Sequence, residues 1–344
     1  MKIKLCVGSY AEMKQDGIVF LEIDTSSWTV KKLYGITMLE KPSWISYCKS
    51  KKIFIYTLEL KKGQIGALVY ENNCYKNNIS YTYSTFGSDP CHIYIDETHN
   101  DIYISNYSSG NLTKYKLTDE KGILKFDSII QYEGKGIHPL RQQLPHVHYS
   151  EIKNDNLYVV NFGLDKLYIY SKLYKNVDWA HQVIELPKGV GPRHLTFHPF
   201  YNEQLIYVCC ELSSEIIVLK KEGKKYKIIQ RMKTVFTNTV EKNFCSSIKV
   251  YKEFLFVANR GDNSISMFQM DKNGLLYIID NINSGGDWPR DFEIIENNLV
   301  VANQYSNNIS AFRINTQKKK LIKTDLCYSL PQPSCLVNVT NLKL

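Results

Sequence analysis

Arginine is the residue type that points most directly to chemistry in this chain. The 344 residues include 43 lysines and arginines, of which only six are arginines. An arginine guanidinium is a planar fork of N–H donors that matches a carboxylate or a phosphate, and a lysine ammonium cannot copy it. Arg193, Arg260 and Arg290 fall at two recurring places of an internal repeat. They predict an anion-binding site; the alternative is structural pairing with acidic residues such as Glu211 and Asp291.

Histidine is the second candidate for chemistry. His146 and His148 are two positions apart on a predicted strand and therefore share a face. A His-x-His pair could bind a metal, but no third ligand accompanies it, and zinc needs three or four ligands. Proton transfer, substrate binding and a purely structural role all stay open for this pair. His92 and His194, at another recurring position, are weaker candidates.

A short strand repeated seven times explains how residues so far apart in the sequence could meet. Six copies begin with proline and one with cysteine, and six have an apolar residue three positions later. The copies start 44 to 55 residues apart, which is typical of the blades of a β-propeller. We therefore predict an all-β, seven-bladed β-propeller. The copies start at Pro42, Pro90, Pro145, Pro192, Cys245, Pro289 and Pro333.

The two ends of the chain complete the count of blades. Residues Lys2–Tyr10 and Ile18–Ile23 have the pattern of second and third strands in a blade that lacks its first strand. The segment PSCLVNV, from Pro333, has the pattern of a first strand without the rest. We predict that strands from both termini close the last blade, which removes free sheet edges, and that residues 1–344 form a single domain.

Two positions of each repeat are expected to meet at one mouth of the central tunnel. They are the residue after the proline and the polar residue that ends the second strand. His148 departs from the repeat, because the equivalent residue of the other copies is apolar. The first set is Ser43, Cys91, His146, Arg193, Ser246, Arg290 and Ser334. The second set is Glu59, Asn106, Asn161, Glu211, Asn259 and Asn303, with Arg260 directly after Asn259.

Composition argues against several other classes of protein. The net charge of +9 comes from scattered lysines rather than a clustered basic stripe, so we predict no nucleic-acid partner. No segment approaches the ~18 apolar residues of a membrane span, so we predict no membrane association. The nine cysteines include no Cys-x-x-Cys pair, which indicates reduced thiols in a cytoplasmic protein. We expect no cofactor, and a monomer or a weak homodimer.

The motifs around these residues resemble those of the seven-bladed β-propeller lactonase family, which includes a bacterial 6-phosphogluconolactonase and a fungal carboxymuconate lactonizing enzyme. The resemblance covers essentially the whole chain, in segments such as LPHVHYS, GVGPRHLTFHP, ANRGDNSIS and VANQYSNNISAF. In the fungal branch a histidine, a glutamate and two arginines line the pocket. The resemblance places these roles on His146 or His148, Glu211, Arg193 and Arg260.

The resemblance implies hydrolysis of an anionic sugar lactone without a metal, with conversion of 6-phosphogluconolactone to 6-phosphogluconate as the favoured reaction. Asn161 and Ser247 stand where many family members carry carboxylates, which bears on the substrate and on activity. The alternatives are a non-enzymatic propeller that binds a metabolite or a protein, and a muconate-type cycloisomerase. The predicted catalytic residues are His146, His148, Arg193, Glu211 and Arg260. The predicted substrate-binding residues are Arg290, His194, His92, Glu59, Asn259 and Asn303.

Two expectations follow for the predicted catalytic residues. Glu211 or a histidine of the PHVH segment is expected to act as the general base on the attacking water. Replacement of Arg193 or Glu211 by alanine is expected to abolish hydrolysis with little change in thermal stability.

Overall fold

Antiparallel β-sheets account for the fold. The computed structural model describes residues 1–71, 74–120, 122–171, 180–236 and 242–342. The strands of this part of the chain form seven four-stranded sheets, which confirms the predicted all-β, seven-bladed β-propeller. Within the same residues, no helix is long and apolar enough to cross a membrane.

The strands follow the repeat along the chain. Blade 1 contains β4 to β7, blades 2 to 6 take four strands each in order, and blade 7 combines β28 with β1, β2 and β3. The strands are β1 (Lys2–Ser9), β2 (Ile18–Asp24), β3 (Thr29–Ile36), β4 (Ile45–Cys48), β5 (Ile53–Leu58), β6 (Gln64–Glu71), β7 (Cys74–Ser84), β8 (Pro90–Asp96), β9 (Asp101–Asn106), β10 (Asn111–Leu117), β11 (Leu124–Gln131), β12 (Val147–Lys153), β13 (Asn156–Asn161), β14 (Lys166–Ser171), β15 (Gln182–Glu185), β16 (Pro192–His198), β17 (Asn202–Cys210), β18 (Glu215–Glu222), β19 (Lys225–Lys233), β20 (Phe244–Tyr251), β21 (Phe254–Arg260), β22 (Ser264–Met270), β23 (Leu276–Asn283), β24 (Pro289–Ile295), β25 (Asn298–Asn303), β26 (Asn308–Asn315), β27 (Lys320–Ser329) and β28 (Pro333–Asn338).

Burial within each blade follows from the position of the strand. The second strand is covered by the blades on both sides, and every residue of β5, β9, β21 and β25 is buried. A strand that is buried on both faces needs a continuous apolar run, which is the pattern in the sequence. The fourth strands, such as β19 and β27, carry exposed lysines at the outer edge. Charged side chains there discourage pairing with another sheet.

Blade 7 closes the ring with strands from both ends of the chain, as predicted. Strand β28 pairs antiparallel with β1, with Leu336 opposite Val7 and Val337 opposite Cys6. Leu336 and Val7 pack in one apolar cluster with Val300 and Ala302 of blade 6. The closure is therefore stabilised by side-chain burial as well as by backbone hydrogen bonds.

A bulge near the start of the innermost strands aims one side chain toward the tunnel. The first strands of neighbouring blades contact one another around the axis, so these are the innermost strands. In blades 2, 4 and 6 the register shifts directly after the proline, at Cys91, Arg193 and Arg290. A bulge re-aims the side chain of the extra residue. We call the residues at this place the bulge ring: Ser43, Cys91, His148, Arg193, Ser246, Arg290 and Ser334.

Blade 3 corrects the alignment of the repeat. Val147, not Pro145, is the first paired residue of its innermost strand, and the bulge falls on His148. The prediction that placed His146 in this set is wrong, because the equivalent residue is His148, two positions later. The prediction that His148 replaces an apolar residue is wrong for the same reason. His146 lies in the preceding loop, where its carbonyl oxygen accepts a hydrogen bond from the amide of Phe162.

The polar residues at the ends of the second strands separate into two sets. Asn106 pairs with Pro90 as Cys210 pairs with Pro192, so the asparagines are equivalent to Cys210 and not to Glu211. The glutamates stand one residue later, directly after the strand. We call the residues at this later place the turn ring: Tyr10, Glu59, Tyr107, Phe162, Glu211, Arg260 and Gln304.

Because β28 packs into blade 7, truncation of one of its core side chains should lower the free energy of unfolding. Leu336→Ala removes a side chain that is 3% exposed, and we expect the free energy of unfolding to fall by about 2–5 kcal/mol. Urea denaturation measures this change. The control is Ile322→Ala in blade 6, at a side chain that is 41% exposed, which should stay within about 0.5 kcal/mol of the wild type. Equal effects of the two substitutions would contradict the packing of β28 into the ring.

Candidate active site

A buried carboxylate surrounded by three guanidinium groups lies at the mouth of the tunnel. Glu211 directly follows β17 and is 3% exposed. Its Oε1 lies 2.8 Å from Nη2 of Arg141, and its Oε2 lies 3.3 Å from Nε of Arg193 and 2.5 Å from Nη2 of Arg260. The structure thus brings together Glu211, Arg193 and Arg260, as the sequence predicted, and adds Arg141 to them.

The three guanidinium groups keep the Glu211 side chain ionised. Burial raises the pKa of this carboxyl, but Arg260, Arg193 and Arg141 lower it by more, so the pKa lies well below its usual range. Glu211 is therefore a charged anchor for the arginines at neutral pH.

Positive charge exceeds negative charge around Arg193, because three arginines surround the one carboxylate of Glu211. Burial, followed by repulsion from Arg260 and Arg290, lowers the pKa of Arg193 to about 10 despite its contact with Glu211. Its Nη1 donates to the carbonyl oxygen of Ser246 at 2.6 Å. A site with this surplus attracts an anion.

Two glycines let the backbone carry these side chains to the mouth. Gly191 has φ of +60°, and its carbonyl oxygen accepts a hydrogen bond from Glu211 N at 2.7 Å. Gly261 follows Arg260 with φ of +101°, and a Cβ there would lie 2.1 Å from the carbonyl oxygen of Lys242. The glycines of the GPRH and NRG motifs are thus explained by backbone geometry.

A second charged group faces the first across the tunnel. Tyr10 donates from its hydroxyl to Oε2 of Glu59 at 2.6 Å and accepts a hydrogen bond from Nη2 of Arg290. The guanidinium of Arg290 also lies over the Tyr10 ring, 4.7 Å from its centroid. These residues belong to blades 6, 7 and 1, whereas Glu211 belongs to blade 4. In the two groups together, four arginines face two glutamates, which leaves two positive charges in excess.

His148 is buried beside the first group. Its side chain is 6% exposed, and its ring centroid lies 5.3 Å from that of His194 and 5.6 Å from that of Tyr107. Among the described residues, its Nδ1 has no hydrogen-bond partner. Burial, with Arg193 as the second cause, holds its pKa well below the usual value. His148 is therefore a neutral imidazole at pH 7.

His146 lies at the rim, half-buried. Its ring stacks on Tyr107 at 4.3 Å between centroids, and its Nδ1 lies 2.8 Å from the Tyr107 carbonyl oxygen. Because a carbonyl only accepts, Nδ1 carries the proton and Nε2 is the free nitrogen of the neutral ring. Burial lowers the pKa of His146. The same Tyr107 accepts a hydrogen bond from Arg141 through its hydroxyl, at 3.3 Å.

His92 and His194 belong to an aromatic layer deeper in the tunnel. With Trp44 and Tyr149 they form a group of rings with centroids 4.2 to 6.0 Å apart. His194 Nε2 lies 3.2 Å from Arg193 Nη1 and can only accept from it. The rings also line a cavity of about 380 Å³ that continues along the innermost strands of all seven blades. Burial, followed by Arg193, lowers the pKa of His92 to about 3.

Asn259 and Asn303 connect neighbouring strands inside their own blades. Both are fully buried, and their side-chain amides bridge strands. Asn259 Nδ2 donates to Ser266 Oγ at 2.9 Å, and Asn303 Nδ2 donates to Ser310 Oγ at 3.0 Å. Because these amides are fully enclosed by the sheet, they cannot reach a ligand in the mouth, and we leave them out of the site.

Three residues of the site were missed by the sequence analysis. Tyr10 and Tyr107 belong to the turn ring, where the misaligned repeat concealed them. Arg141 lies in the connection between β11 and β12, which is longer than the equivalent connections between the other blades. Its only signal was that it is one of six arginines. Across the described residues, no group of three or more His, Cys, Asp or Glu side chains is arranged to hold a metal ion.

Comparison with known proteins places the fold and the motifs in a family. The family model described as lactonase, 7-bladed beta-propeller, matches residues 4–338. The chain belongs to this lactonase family.

Relatives of this lactonase-family protein are similar over almost their whole length. A 6-phosphogluconolactonase of Bacillus subtilis is 30% identical over 343 residues, which cover 96% of each chain. The crystal structure of a protein from Lactobacillus plantarum has a TM-score of 0.89 at 26% identity, covering 98% of this chain and 100% of that one. The periplasmic gluconolactonase of Pseudomonas aeruginosa shares the fold, with a TM-score of 0.87 at 22% identity and coverage of 98% and 99%.

The buried ion cluster changes the expectation for stability. Glu211→Gln leaves three guanidinium groups without their carboxylate, and we expect unfolding at pH 7 to become easier by about 3–5 kcal/mol. Because the pKa of Glu211 is lower in the folded state, this contribution is present above about pH 4.3 and is lost as the pH falls further. The difference between wild type and variant in urea denaturation should therefore narrow from pH 7 to pH 3.5.

The control for this measurement is Glu185→Gln. It removes the same charge from a side chain that is 77% exposed, and should change stability little at either pH. A Glu211→Gln variant as stable as wild type at pH 7 would contradict the role of Glu211 as the anchor of the arginines.

Proposed function

We propose that this protein hydrolyses a sugar lactone that carries an anionic group, with 6-phosphogluconolactone as the favoured substrate. The observation that carries the proposal is the excess of positive charge at the mouth, where four arginines face two glutamates. The family match and the relative named 6-phosphogluconolactonase support the reaction class. A phosphate or carboxylate on the substrate would supply the missing negative charge.

The two arginine groups divide the binding task. Arg290 is held by Tyr10 on one side of the axis, and we assign it to the phosphate. Arg193 and Arg260 contact Glu211 on the other side, with His148 beside Arg193 in the neighbouring blade, and we assign the two arginines to the lactone carbonyl. A substrate that lies across the mouth can meet both groups at once.

In the proposed reaction, His148 is the general base. A water molecule attacks the carbonyl carbon of the lactone and passes one proton to His148. Arg193 and Arg260 stabilise the negative charge that develops on the carbonyl oxygen. The bond between the carbonyl carbon and the ring oxygen then breaks, and His148 returns the proton to that oxygen. Water has thus supplied OH to the carbonyl and H to the ring oxygen, and the proposal needs neither metal nor cofactor.

Glu211 is less suited to act as the base than the sequence analysis expected. Both of its oxygens contact guanidinium groups, and its negative charge is already balanced by them. We assign Glu211 to hold the arginines in place, and the proton transfer to the neutral imidazole of His148.

Replacement of His148 tests the assignment of the base. His148→Gln should lower kcat for 6-phosphogluconolactone by about 10²- to 10⁴-fold. Because the pKa of His148 lies well below its usual value of about 6.5, the wild-type enzymatic rate should be flat from pH 6 to 8 and fall only at more acidic pH. Initial rates corrected for spontaneous hydrolysis measure both effects.

Two other histidines serve as references for this experiment. His146→Gln should lower kcat less than about tenfold, because His146 lies at the rim. His198→Gln, at a buried histidine at the far end of β16, is the matched control and should leave kcat unchanged. Retained activity in His148→Gln, with loss in His146→Gln, would overturn the assignment of the base.

Replacement of Arg290 tests the anion site. Wild-type protein should prefer 6-phosphogluconolactone to uncharged glucono-δ-lactone. Arg290→Gln should raise KM for the phosphorylated lactone by about 10- to 100-fold, the value of a hydrogen bond to a charged group, and leave kcat/KM for the uncharged lactone nearly unchanged.

Arg313→Gln is the matched control for this experiment, because Arg313 lies in blade 6 away from the mouth and donates to the carbonyl oxygen of Thr25. No preference of the wild type for the phosphorylated lactone would contradict the anion site. No hydrolysis of either lactone would contradict the proposed function as a whole.

A further inference from the structure

Asp165 is a buried carboxylate that is satisfied by neutral donors. It lies in the turn between β13 and β14 and is 3% exposed. Its Oδ1 accepts hydrogen bonds from Gln142 Nε2 and from Gly191 N, both at 2.8 Å, and its Oδ2 accepts from Gly189 N at 2.6 Å. Among the described residues it has no ion-pair partner. Burying a carboxylate without a cation costs free energy, which here is offset by hydrogen bonds from three N–H donors.

The first connection from Asp165 to the site runs through the backbone of Gly191. The amide of Gly191 donates to Asp165, and its carbonyl oxygen accepts from Glu211 N at 2.7 Å. Gly191 also stands two residues before Arg193 in the GPRH motif. Asp165 therefore holds Gly191 in place, and Gly191 in turn accepts the hydrogen bond from the backbone amide of Glu211.

The second connection runs through Gln142. Its side chain is fully buried, and Nε2 also donates to the carbonyl oxygen of Phe162 at 2.8 Å, so the amide is held from two sides. The preceding residue, Arg141, contacts Oε1 of Glu211 at 2.8 Å. Gln142 thus anchors the connection that carries Arg141, whose backbone amide is itself held by His138 Nδ1 at 3.2 Å.

We propose that Asp165 is a positioning residue that sets Glu211 and Arg141 in register with Arg193. This inference rests on the proposed function, because its effect is read through the same site. Both connections start at the Asp165 carboxylate and end at Glu211. A shift of Asp165 therefore moves the backbone of Glu211 and also changes the contact between Glu211 Oε1 and Arg141. Asp165 itself does not touch the substrate.

The chemistry of the carboxylate explains why asparagine cannot replace it. Asp165 accepts at both oxygens, whereas asparagine has one acceptor oxygen and an NH₂ group. In Asp165→Asn, one oxygen can serve either Gly189 or the pair of Gln142 and Gly191. The NH₂ group would then face an N–H donor, and one of the two loops would be released.

A double-mutant cycle with Arg141 separates positioning from general support of the fold. Asp165→Asn should lower kcat for 6-phosphogluconolactone by about 10- to 100-fold and change KM less than about threefold, because Arg290 still holds the phosphate. Arg141→Gln should lower kcat as well. The double variant should retain about three- to tenfold more activity than the product of the single effects, because both changes act on the same contact.

Asp271→Asn is the matched control for the cycle. Asp271 also accepts two backbone amides through one oxygen, from Asn273 and Leu275 at 2.8 Å each, but in the turn between β22 and β23. The fold-losses in kcat caused by Asp271→Asn and by Arg141→Gln should simply multiply in the double variant, because the two residues do not share a contact. If Asp165→Asn does not fold, Gln142→Leu removes only the second connection and should show the same coupling. Multiplicative effects for Asp165 and Gln142 would overturn the inference.

A crystal structure of Asp165→Asn gives a readout that does not depend on activity. The 2.8 Å contact between Arg141 Nη2 and Glu211 Oε1 should be lost or lengthened. An unchanged contact would overturn the positioning role, whether or not the protein hydrolyses lactones. A wild type that hydrolyses neither lactone would overturn the proposed function but leave this structural test intact.

Discussion

The burial of one carboxylate among guanidinium groups is the interaction on which the rest of the site depends. Guanidinium groups repel one another when they share a site away from water, and at Arg193 burial and this repulsion together lower the pKa. Glu211 offsets part of it, because each of its oxygens meets at least one arginine. The charge that remains is the basis of the proposed preference for anionic lactones. A mouth lined by neutral donors would not distinguish a charged lactone from an uncharged one by charge.

The β-propeller supplies this interaction from separate parts of the chain. The bulge ring provides Arg193 and His148, the turn ring provides Glu211 and Arg260, and one long connection provides Arg141. Each ring places one residue per blade at the same height, so a change of residue type in one blade alters the chemistry without altering the backbone. The fold is thus indifferent to function at these positions, and the site is specified by which side chains occupy them.

The seven blades, the closure by both termini and the meeting of Glu211 with Arg193 and Arg260 were all predictable from the sequence, because the repeat is regular. The alignment of the sequence repeats failed where a blade departs from the regular pattern. Pro145 carries the signal of a strand start, but pairing begins two residues later, which shifted the role of His148 onto His146. Asn259 and Asn303 were grouped with Glu211 although they stand one residue earlier. Arg141 lies outside the repeat, so no comparison between blades could find it.

The closure of blade 7 has a consequence for how the protein matures. The group that holds Arg290 takes Tyr10 from the turn after the first strand of the chain, Glu59 from the first full blade and Arg290 itself from the sixth. These residues meet only after β28 has been synthesised and has joined β1. A chain still emerging from the ribosome therefore lacks the complete Arg290 group, and the proposed phosphate anchor forms only once β28 has closed the ring.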